Sequence, residues 1–366
     1  MKILFHIDSL GSGGAQRQIV TLAAGLAGRG HRVEFNTYVD FNYFKPVLDQ
    51  AGVPVHTKIK TGRLSPGPVL SLRRHVRTLR PDVVIAFLRV PVIHAELLKI
   101  IGPRVPVLVS ERFAYPAGKL PWRLYLGQLM HRLADRVTIN STHQAHRMFQ
   151  DFPWLEGKSS VVLNGYDLTD PPAPVPPTTD DIRLLALGTI QPRKNPLTLA
   201  KAMVICRRDH GVPVSIHWGG EMRSRYSATK PEVDNFLAAE GMADHWHWLG
   251  LRSDVPDLLA SMHGLIHASH AEGFSNAVAE ALIAGRPVLL GRIGDQPDLI
   301  ARSQAGLLFD QTDPASIAEA ISSYHAKSDT ERTEMGANGR IFAEENLSVD
   351  AMVSRYEDLC AELANR

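Results

Sequence analysis

The chain has 366 residues, of which 44% are hydrophobic and 21% charged, and this length and composition predict a globular protein with two domains of ordinary size. Residues 1–170 carry 22 Lys and Arg against 12 Asp and Glu, whereas residues 171–366 carry 18 against 26. No apolar run approaches the roughly 18 residues that a membrane-spanning helix needs, and no nucleic-acid-binding motif accompanies the basic charge. The basic half therefore predicts an anionic small substrate or an anionic membrane surface as a partner, and no nucleic acid.

The first predicted elements are a strand over Lys2–Ile7, a glycine-rich loop over Ser9–Gly14 and a helix over Ala15–Arg29. Because the strand begins at once, without a signal peptide before it, we expect a cytoplasmic protein. Gly13 and Gly14 allow the backbone to come close to a phosphate or a sugar. A dinucleotide site is the alternative, but the loop lacks a complete G-x-G-x-x-G pattern and no acidic residue ends the second strand, which disfavours NAD.

The next predicted strands bring polar side chains to one edge of a sheet. Pro81–Phe87 and Val107–Ser110 are apolar runs, and Arg89, Glu111 and Arg112 follow their ends. This is the edge at which open α/β sheets bind ligands. The two guanidinium groups suit a phosphate on an acceptor, and a solvated or ion-paired surface is an equally good interpretation of each arginine.

The segment Lys119–Arg136 mixes aliphatic, aromatic and basic residues at helical spacing. Its apolar residues share one helix face: Trp122, Leu126, Leu129, Met130 and Leu133. Such a stripe is compatible with a membrane interface. A soluble α/β domain shows the same stripe on a helix that packs against its sheet, and core packing is our prediction here.

A proline-rich segment divides the chain. Residues 170–181 (DPPAPVPPTTDD) contain five prolines within seven positions, which predicts an extended linker between a domain of residues 1–169 and a domain of residues 182–345. Strands alternate with helices on both sides of the linker, so we expect a doubly wound α/β architecture in each half. Residues 346–366 predict a C-terminal helix.

The second half opens with a strand and a basic pair. Ile182–Leu187 is a buried-strand pattern, Gly188 follows it, and Arg193 and Lys194 stand just before the next helix. A cationic pair in this position can neutralise a diphosphate whose charge grows as its bond to a sugar breaks.

The most informative stretch is 263–291, which reads as a strand, a polar loop and a helix that begins at Asn276. We expect Ser275 or Asn276 to cap this helix, and the backbone N–H groups around residues 273–277 to suit a phosphate. Glu272 and Glu280 lie eight positions apart, and the reversal between strand and helix directs both toward one cleft.

Three histidines of this region, His263, His267 and His270, raise the alternative of a metal site. A strand through Gly264 to Ala268 would point them in different directions, which disfavours a shared ion.

The run Glu272–Ala277, with Glu280, Gly285, Pro287 and Val288 behind it, resembles the nucleotide-sugar signature of the family 4 retaining glycosyltransferases. The opening Gly-Gly-Ala-Gln run is similar to the family's N-terminal loop. The resemblance implies an α/β fold of the GT-B type, in which two doubly wound Rossmann-like domains face each other across a cleft and the C-terminal helix crosses back to the first domain.

The resemblance also implies an activity. A sugar moves, with retention of its anomeric configuration, from a UDP- or GDP-linked donor to a glycan or lipid-linked acceptor in bacterial cell-surface polysaccharide or lipopolysaccharide synthesis. Lys194 and Arg193 would stabilise the departing diphosphate, and Arg193 would replace the arginine that many members have at Thr189. Glu272 would hold hydroxyls of the donor sugar and Glu280 the ribose.

Further residues take their expected roles from the same resemblance. Arg252 would stack on the nucleotide base, and Arg89, Glu111 and Arg112 would form the acceptor-binding wall. The remaining donor-binding residues are Gly13, Gly14, Gly188, Gly220, Gly273, Phe274, Ser275, Asn276 and Ala277. The family uses no cofactor and no metal. Together with the basic first half, it suggests a protein located peripherally at the inner face of the cytoplasmic membrane.

Three other functions stay open from the sequence. A non-catalytic partner subunit of a polysaccharide assembly complex would keep the same shell, although the intact Glu272, Glu280 and Lys194 speak against decay. A nucleotide-sugar epimerase shares the fold. A phosphorylase does too, and it would carry pyridoxal phosphate.

Overall fold

The chain folds into two α/β units, each built around one parallel sheet. In the computed structural model the described residues are 1–62, 65–112, 120–168, 172–177, 181–272 and 274–365. The first unit comprises Met1–Asp167 and Leu347–Arg366, and the second comprises Leu168–Asn346.

The first unit contains a seven-stranded sheet in the order β3-β2-β1-β4-β5-β6-β7. Its strands are β1 Lys2–His6, β2 Arg32–Thr37, β3 Val55–Thr57, β4 Val83–Phe87, β5 Val107–Glu111, β6 Arg136–Ile139 and β7 Ser159–Val161. Its helices before the linker are α1 Gly14–Gly28, α2 Lys45–Gln50, α3 Gly67–Leu79, α4 Arg89–Ile101, α5 Trp122–Met130 and α6 Thr142–Asp151. Every residue of β4 is buried, because helices cover both faces of a parallel sheet and its central strands are apolar throughout.

The second unit contains a six-stranded parallel sheet in the order β10-β9-β8-β11-β12-β13. Its strands are β8 Ile182–Leu187, β9 Val214–Gly219, β10 Trp246–Gly250, β11 Gly264–His267, β12 Val288–Gly291 and β13 Gly306–Phe309. Its helices are α7 Pro196–Arg208, α8 Thr229–Ala239, α9 Val255–Ser261, α10 Asn276–Ile283, α11 Gln296–Ser303, α12 Pro314–His325 and α13 Asp329–Asn346.

The last helix, α14 (Val349–Ala364), belongs to the first unit. Ser348 caps it by accepting a hydrogen bond from the backbone N–H of Ala351 at 3.0 Å. Its buried face, which includes Val353 and Tyr356, joins the apolar core around β1 and α1. A Cβ at Gly25 of α1 would lie 2.5 Å from Cγ2 of Val353, so the two helices pack closely because this position has no side chain.

Each sheet reverses its strand order beside its first strand, between β1 and β4 in the first unit and between β8 and β11 in the second. Open parallel sheets bind ligands outside the carboxyl ends of the strands at such a reversal. In the second unit, the loop that starts at Gly188 follows β8 and the loop that ends at Ser275 follows β11. These two loops therefore carry the side chains best placed for a ligand site.

Within the described part of the chain, no helix combines the length and the apolar character that crossing a lipid bilayer requires.

The prediction that the apolar stripe after residue 119 packs in the core is wrong for its first half. The helix covers Trp122–Met130 only, and Trp122 is 67% exposed and Leu126 51% exposed. The face turned inward is formed by the buried Gln128 and by Leu129, which packs on the core beneath α5. Since positions i and i+4 share one side of a helix, Trp122 and Leu126 are directed to solvent together.

Candidate active site

The basic pair after β8 is positioned by a tight turn. Pro192–Lys194 forms one turn of 3-10 helix, and Asn195 then adopts a left-handed conformation (φ 61°) before α7 begins. Asn tolerates this conformation better than most residues, and its Nδ2 donates a hydrogen bond to the carbonyl of Gln311 at 2.7 Å. The turn thereby fixes where Arg193 and Lys194 leave the backbone.

The three predicted catalytic residues lie together. Nζ of Lys194 is 2.8 Å and NH1 of Arg193 is 2.9 Å from the same oxygen, Oε1 of Glu272. Arg193 also donates to the carbonyl of Ala271, and its own carbonyl accepts from the N–H of His270 at 2.9 Å. Side-chain and backbone contacts therefore join the loops after β8 and β11 across the reversal of the sheet. The roles of the three residues stay predictions.

Glu272 is an anion held in a cationic corner. Burial alone would raise the pKa of its carboxyl, but the charge and hydrogen bond of Lys194, with the charge of Arg193, outweigh burial and lower the pKa below its ordinary value. Lys194 and Glu272 are both mostly buried, whereas Arg193 is half exposed. The corner can accept a second anion from the exposed side, because each of its cations has donors beyond the one that meets Glu272.

A buried histidine, whose functional role the sequence reasoning missed, supports this corner. His267 ends β11, and its Nδ1 accepts a hydrogen bond from Nε2 of Gln296 at 2.8 Å, while its Nε2 is 3.2 Å from Oγ of Ser275. Burial, reinforced by the nearby charge of Lys194, lowers the pKa of His267 to about 3. The imidazole is therefore neutral, and its hydrogen bond with Ser275 connects the end of β11 to the start of α10.

His263, His267 and His270 do not share an ion-binding position among the described residues. His263 instead accepts a hydrogen bond from the N–H of Arg183 at 3.0 Å, which ties β11 to β8.

The predicted side-chain cap by Ser275 does not form at the start of α10. Ser275 is the N-cap residue, but its side chain accepts no N–H from the helix, because the hydroxyl is engaged with Nε2 of His267. The first turn of a helix has no acceptor of its own for its N–H groups and carries the positive end of the dipole. Without a side-chain cap from Ser275, the start of α10 suits an anion.

The other predicted donor-binding residues of this loop are placed as follows. Phe274 is half-buried, Asn276 is exposed, Ala277 is buried and Glu280 is half-buried in the first turns of α10. Gly273 lies outside the described residues.

Two predicted glycines meet where β8 and β9 end. Gly188 has a φ of +143°, which disfavours any side chain, and a Cβ there would lie 2.7 Å from Cε of Lys194. A Cβ at Gly220 would lie 2.0 Å from the carbonyl oxygen of Gly188. Both positions therefore need glycine for this packing. Arg252 lies two residues after the end of β10, is exposed and forms an ion pair with Asp254, with its Nε 2.8 Å from Oδ1.

The predicted acceptor-binding arginines of the first unit form hydrogen bonds with other residues of that unit. Arg112 donates to Oδ1 of Asn164 and to the hydroxyl of Tyr356 on α14, and its guanidinium lies 4.2 Å from the centre of the Phe87 ring. Arg89 begins α4 and donates to the carbonyl of Arg123. Gly13 is the N-cap residue of α1, and Gly14 opens the helix. Acceptor and donor contacts by these residues stay predictions.

Glu111 ends β5 and is buried, and its partner is a histidine that the sequence reasoning missed. Nε2 of His131 lies 2.8 Å from Oε1 of Glu111, and Nδ1 lies 2.5 Å from Oε1 of Glu96. Burial alone would lower the pKa of His131, but the hydrogen bonds and charges of the two carboxylates raise it to about 9. The imidazolium therefore links α4 and β5 beneath the sheet edge on which the acceptor side chains were predicted.

Two family models match the chain. Residues 12–170 match the model described as Glycosyltransferase Family 4, and residues 181–327 match the model described as Glycosyl transferases group 1. The first matched segment lies almost entirely in the first unit, and the second matched segment lies in the second unit.

The similar proteins of known function are distant. The D-inositol 3-phosphate glycosyltransferase of Geodermatophilus obscurus is 25% identical over 247 residues, which are 63% of this chain and 54% of that relative. The O-antigen chain mannosyltransferase B of Escherichia coli is 27% identical over 140 residues, 37% of this chain and 35% of that protein. The matched part of the chain thus spans about half the length of the first relative and about a third of the second.

Among solved structures, Anabaena HepE in complex with UDP has a TM-score of 0.83 at 20% identity, covering 99% of this chain and 100% of that chain. An identity this low establishes the fold alone. The structural match and the two family models confirm the predicted α/β architecture of the GT-B type, with two Rossmann-like domains.

Proposed function

Since this chain belongs to the family 4 glycosyltransferases with the GT-B fold, we propose that it is a retaining glycosyltransferase. It moves a sugar from a nucleoside-diphosphate donor, UDP- or GDP-linked, to a glycan or lipid-linked acceptor in bacterial cell-surface polysaccharide or lipopolysaccharide synthesis. The single observation that carries the proposal is the meeting of Lys194 and Arg193 at Glu272, where the second sheet reverses its strand order.

The cationic corner provides the electrostatic part of the mechanism. As the bond between the anomeric carbon and the diphosphate breaks, negative charge builds up on the leaving oxygens. Lys194 donates from a mostly buried position, where its attraction to the developing negative charge is stronger than it would be in water. Arg193 offers further N–H groups from its half-exposed guanidinium. Since both cations are already held by Glu272 and by the turn before α7, they need little reorganisation during the reaction.

The start of α10 provides the second part of the diphosphate site. Its first-turn N–H groups and its dipole favour an anion, and the hydroxyl of the N-cap residue Ser275 does not accept from them. Glu280, the fifth residue of the helix, holds the ribose hydroxyls, and Glu272 holds hydroxyls of the donor sugar.

In the transfer itself, the acceptor hydroxyl attacks the anomeric carbon on the face from which the diphosphate departs. A phosphate oxygen takes the proton of that hydroxyl, the new glycosidic bond forms, and the nucleoside diphosphate is released. This route needs no covalent enzyme intermediate, no metal and no cofactor. We propose UDP as the first nucleotide to test, because UDP is the ligand of the similar HepE structure.

The acceptor side of the proposal includes an anionic membrane surface. Residues 1–170 carry 22 basic against 12 acidic side chains, and α5 exposes Trp122, Tyr125 and Leu126 on one side, with Arg123 beside them. Aromatic and aliphatic side chains next to basic ones suit the interface of an anionic membrane, where a lipid-linked acceptor resides. The protein then works peripherally at the inner face of the cytoplasmic membrane.

A thermal-shift panel of nucleoside diphosphates and nucleotide sugars, followed by a transfer assay with the best ligand, tests the function. A ligand that binds the folded state raises the melting temperature, and the anomeric configuration of the product distinguishes retention from inversion. A non-catalytic partner subunit would bind without turnover. An epimerase would alter the nucleotide sugar itself, and a phosphorylase would show the absorbance of pyridoxal phosphate.

A further inference from the structure

Three side chains of the first unit that the proposed function does not use form a compact group. Glu34 lies on β2, His56 on β3 and His75 on α3. We propose that these three residues bind a divalent transition-metal ion of the zinc class, as a site of its own in the first unit.

Sheet register brings the ligands together. Asn36 of β2 pairs with His56 of β3, and since side chains two positions apart share one face of a sheet, Glu34 and Asn36 point to the same side. His75 approaches this side from α3, and its ring centre lies 4.4 Å from that of His56. Two adjacent strands and one helix thus each supply one side chain.

The distances suit one ion. Oε2 of Glu34 is 2.9 Å from Nε2 of His75 and 3.2 Å from Nε2 of His56, and the three ligand atoms lie within 4.8 Å of one another. Ligands at the usual distances of about 2.0–2.1 Å from a tetrahedral zinc are separated by roughly 3.3 Å. Small side-chain adjustments therefore bring all three ligand atoms into coordination. Among the described residues, no other group of three histidine, cysteine or acidic side chains brings its possible ligand atoms this close together.

The carboxylate is oriented for this role. Arg32 donates to Oε1 of Glu34 from Nε at 3.2 Å and from NH2 at 2.9 Å. The arginine holds one oxygen of the carboxylate, and the other oxygen faces the two imidazoles. Hydrogen bonds from residues that do not themselves bind the metal usually fix the orientation of a metal-binding carboxylate.

The group borders an open space that leaves room for a further ligand. A cavity of about 540 Å³ is lined by the three proposed ligands, Asn36, Ser71 and Arg74, among others. Asn36 is buried, its Nδ2 donates to Ser71, and its Oδ1 has no hydrogen-bond partner in the part of the chain that the structure describes. A polar, roomy site of this kind accommodates water, and three protein ligands with one open position are a common arrangement for zinc.

The choice of ligands selects the class of ion. Two imidazoles and one carboxylate suit Zn²⁺, Co²⁺ or Ni²⁺, whereas Mg²⁺ and Ca²⁺ prefer sets made of oxygen alone. Because the ligands come from β2, β3 and α3, the ion would tie a three-residue edge strand to the rest of the sheet. It would also stabilise the first unit without taking part in glycosyl transfer.

Binding is tested by calorimetric titration of the untagged full chain with Zn²⁺ and by the visible absorption of added Co²⁺. We expect one ion per chain, with His56→Ala and His75→Ala each weakening the affinity by about tenfold or more. The side chain of His56 is 56% exposed, so this variant keeps the apo fold, which its melting temperature without metal verifies.

A matched control comes from the second unit. His217 and His247 lie on adjacent strands with ring centres 4.5 Å apart, and they belong to no such group with a carboxylate among the described residues. His217→Ala and His247→Ala should leave Zn²⁺ affinity unchanged.

The proposal is overturned if the wild-type chain binds no Zn²⁺ at about 1 mM, or if His56→Ala binds it as tightly as the wild type does. A raised melting temperature with Zn²⁺ in the wild type that is lost in His56→Ala supports the site. Nucleotide binding is not involved in any of these measurements, so their outcome is independent of the proposed enzyme function.

Discussion

Nζ of Lys194 lies 2.8 Å from Oε1 of Glu272, so two residues with direct roles in the proposed reaction are partners in one mostly buried ion pair. The pair joins the turn before α7 to the loop before α10. Removal of either partner leaves the other as a buried charge with less compensation, which is costly. The same ion pair therefore supports both the local structure and the proposed chemistry, and variants of its two members test the two contributions separately.

Replacement of Lys194 tests charge stabilisation of the leaving group. Lys194→Ala should lower kcat by about 10²–10³-fold, as expected when a preorganised donor to developing negative charge is lost. Lys201→Ala is the matched control, because Lys201 lies on α7 and is exposed, and its turnover should stay at the wild-type level. Steady-state kinetics with a donor identified by the nucleotide panel provides the measurement. Wild-type turnover in Lys194→Ala would contradict the role.

Replacement of Glu272 tests the lowered pKa of its carboxyl. Because the folded-state pKa lies below the ordinary value of about 4.3, the ionised group contributes stability above that value. The contribution is lost as the pH falls through the folded-state pKa. Glu272→Gln, which keeps the size of the side chain, should melt at a lower temperature than wild type at pH 7, and the gap should narrow below about pH 4. A gap that is the same at pH 7 and at pH 3.5 would show that the charge of Glu272 is not the cause.

His131 predicts the opposite pH dependence. Its pKa is raised to about 9 in the folded chain from about 6.5, so its stabilisation is fully present below about pH 6.5. It is lost as the pH rises through 9, and amounts to about 3 kcal/mol at most. His131→Gln should therefore be destabilised at pH 6, and less so at pH 9.5, in urea unfolding followed by fluorescence. His146→Gln, an exposed histidine of α6, should show little change at either pH. Equal destabilisation of His131→Gln at both pH values would refute the charged role.

The exposed side of α5 predicts membrane binding. Trp122→Ser combined with Leu126→Ser should reduce binding to vesicles that contain phosphatidylglycerol by about tenfold or more, because two large apolar side chains no longer enter the interface. Added salt should weaken wild-type binding, since part of the attraction is electrostatic. Ile100→Ser with Ile101→Ser removes two exposed apolar side chains from α4 and should change co-sedimentation little. If both double variants sediment like the wild type, α5 is not the contact surface.

Local patterns predicted much of the framework. Ile182–Leu187 has the predicted bounds, because buried strands of a parallel sheet are continuous apolar runs between turn residues. The edge strand Val55–Thr57 was missed, since three partly exposed residues carry no such pattern. The ion pair between Lys194 and Glu272 was not predicted, although loops after neighbouring strands converge at one edge of a sheet, which brings the two residues to the same region.

The errors have a common physical cause. Whether the hydroxyl of Ser275 turns to its own helix or to His267 depends on a residue that reaches it through the tertiary fold. The exposure of Trp122 likewise depends on which side of α5 faces the sheet, and periodicity identifies a stripe without saying what covers it. No local sequence pattern indicates that His131 pairs with two carboxylates from different elements.

The most direct test of the central claim is calorimetric titration of the full chain with UDP and with GDP, in parallel for wild type and Lys194→Ala. The account predicts that at least one of them binds the wild type with one site per chain. Lys194→Ala should weaken that binding by about tenfold, because a charge-assisted contact to the diphosphate is lost. Titrations with both nucleotides that stay flat up to about 1 mM, or an affinity unaffected by Lys194→Ala, would contradict the claim that the diphosphate of a sugar nucleotide binds at this corner.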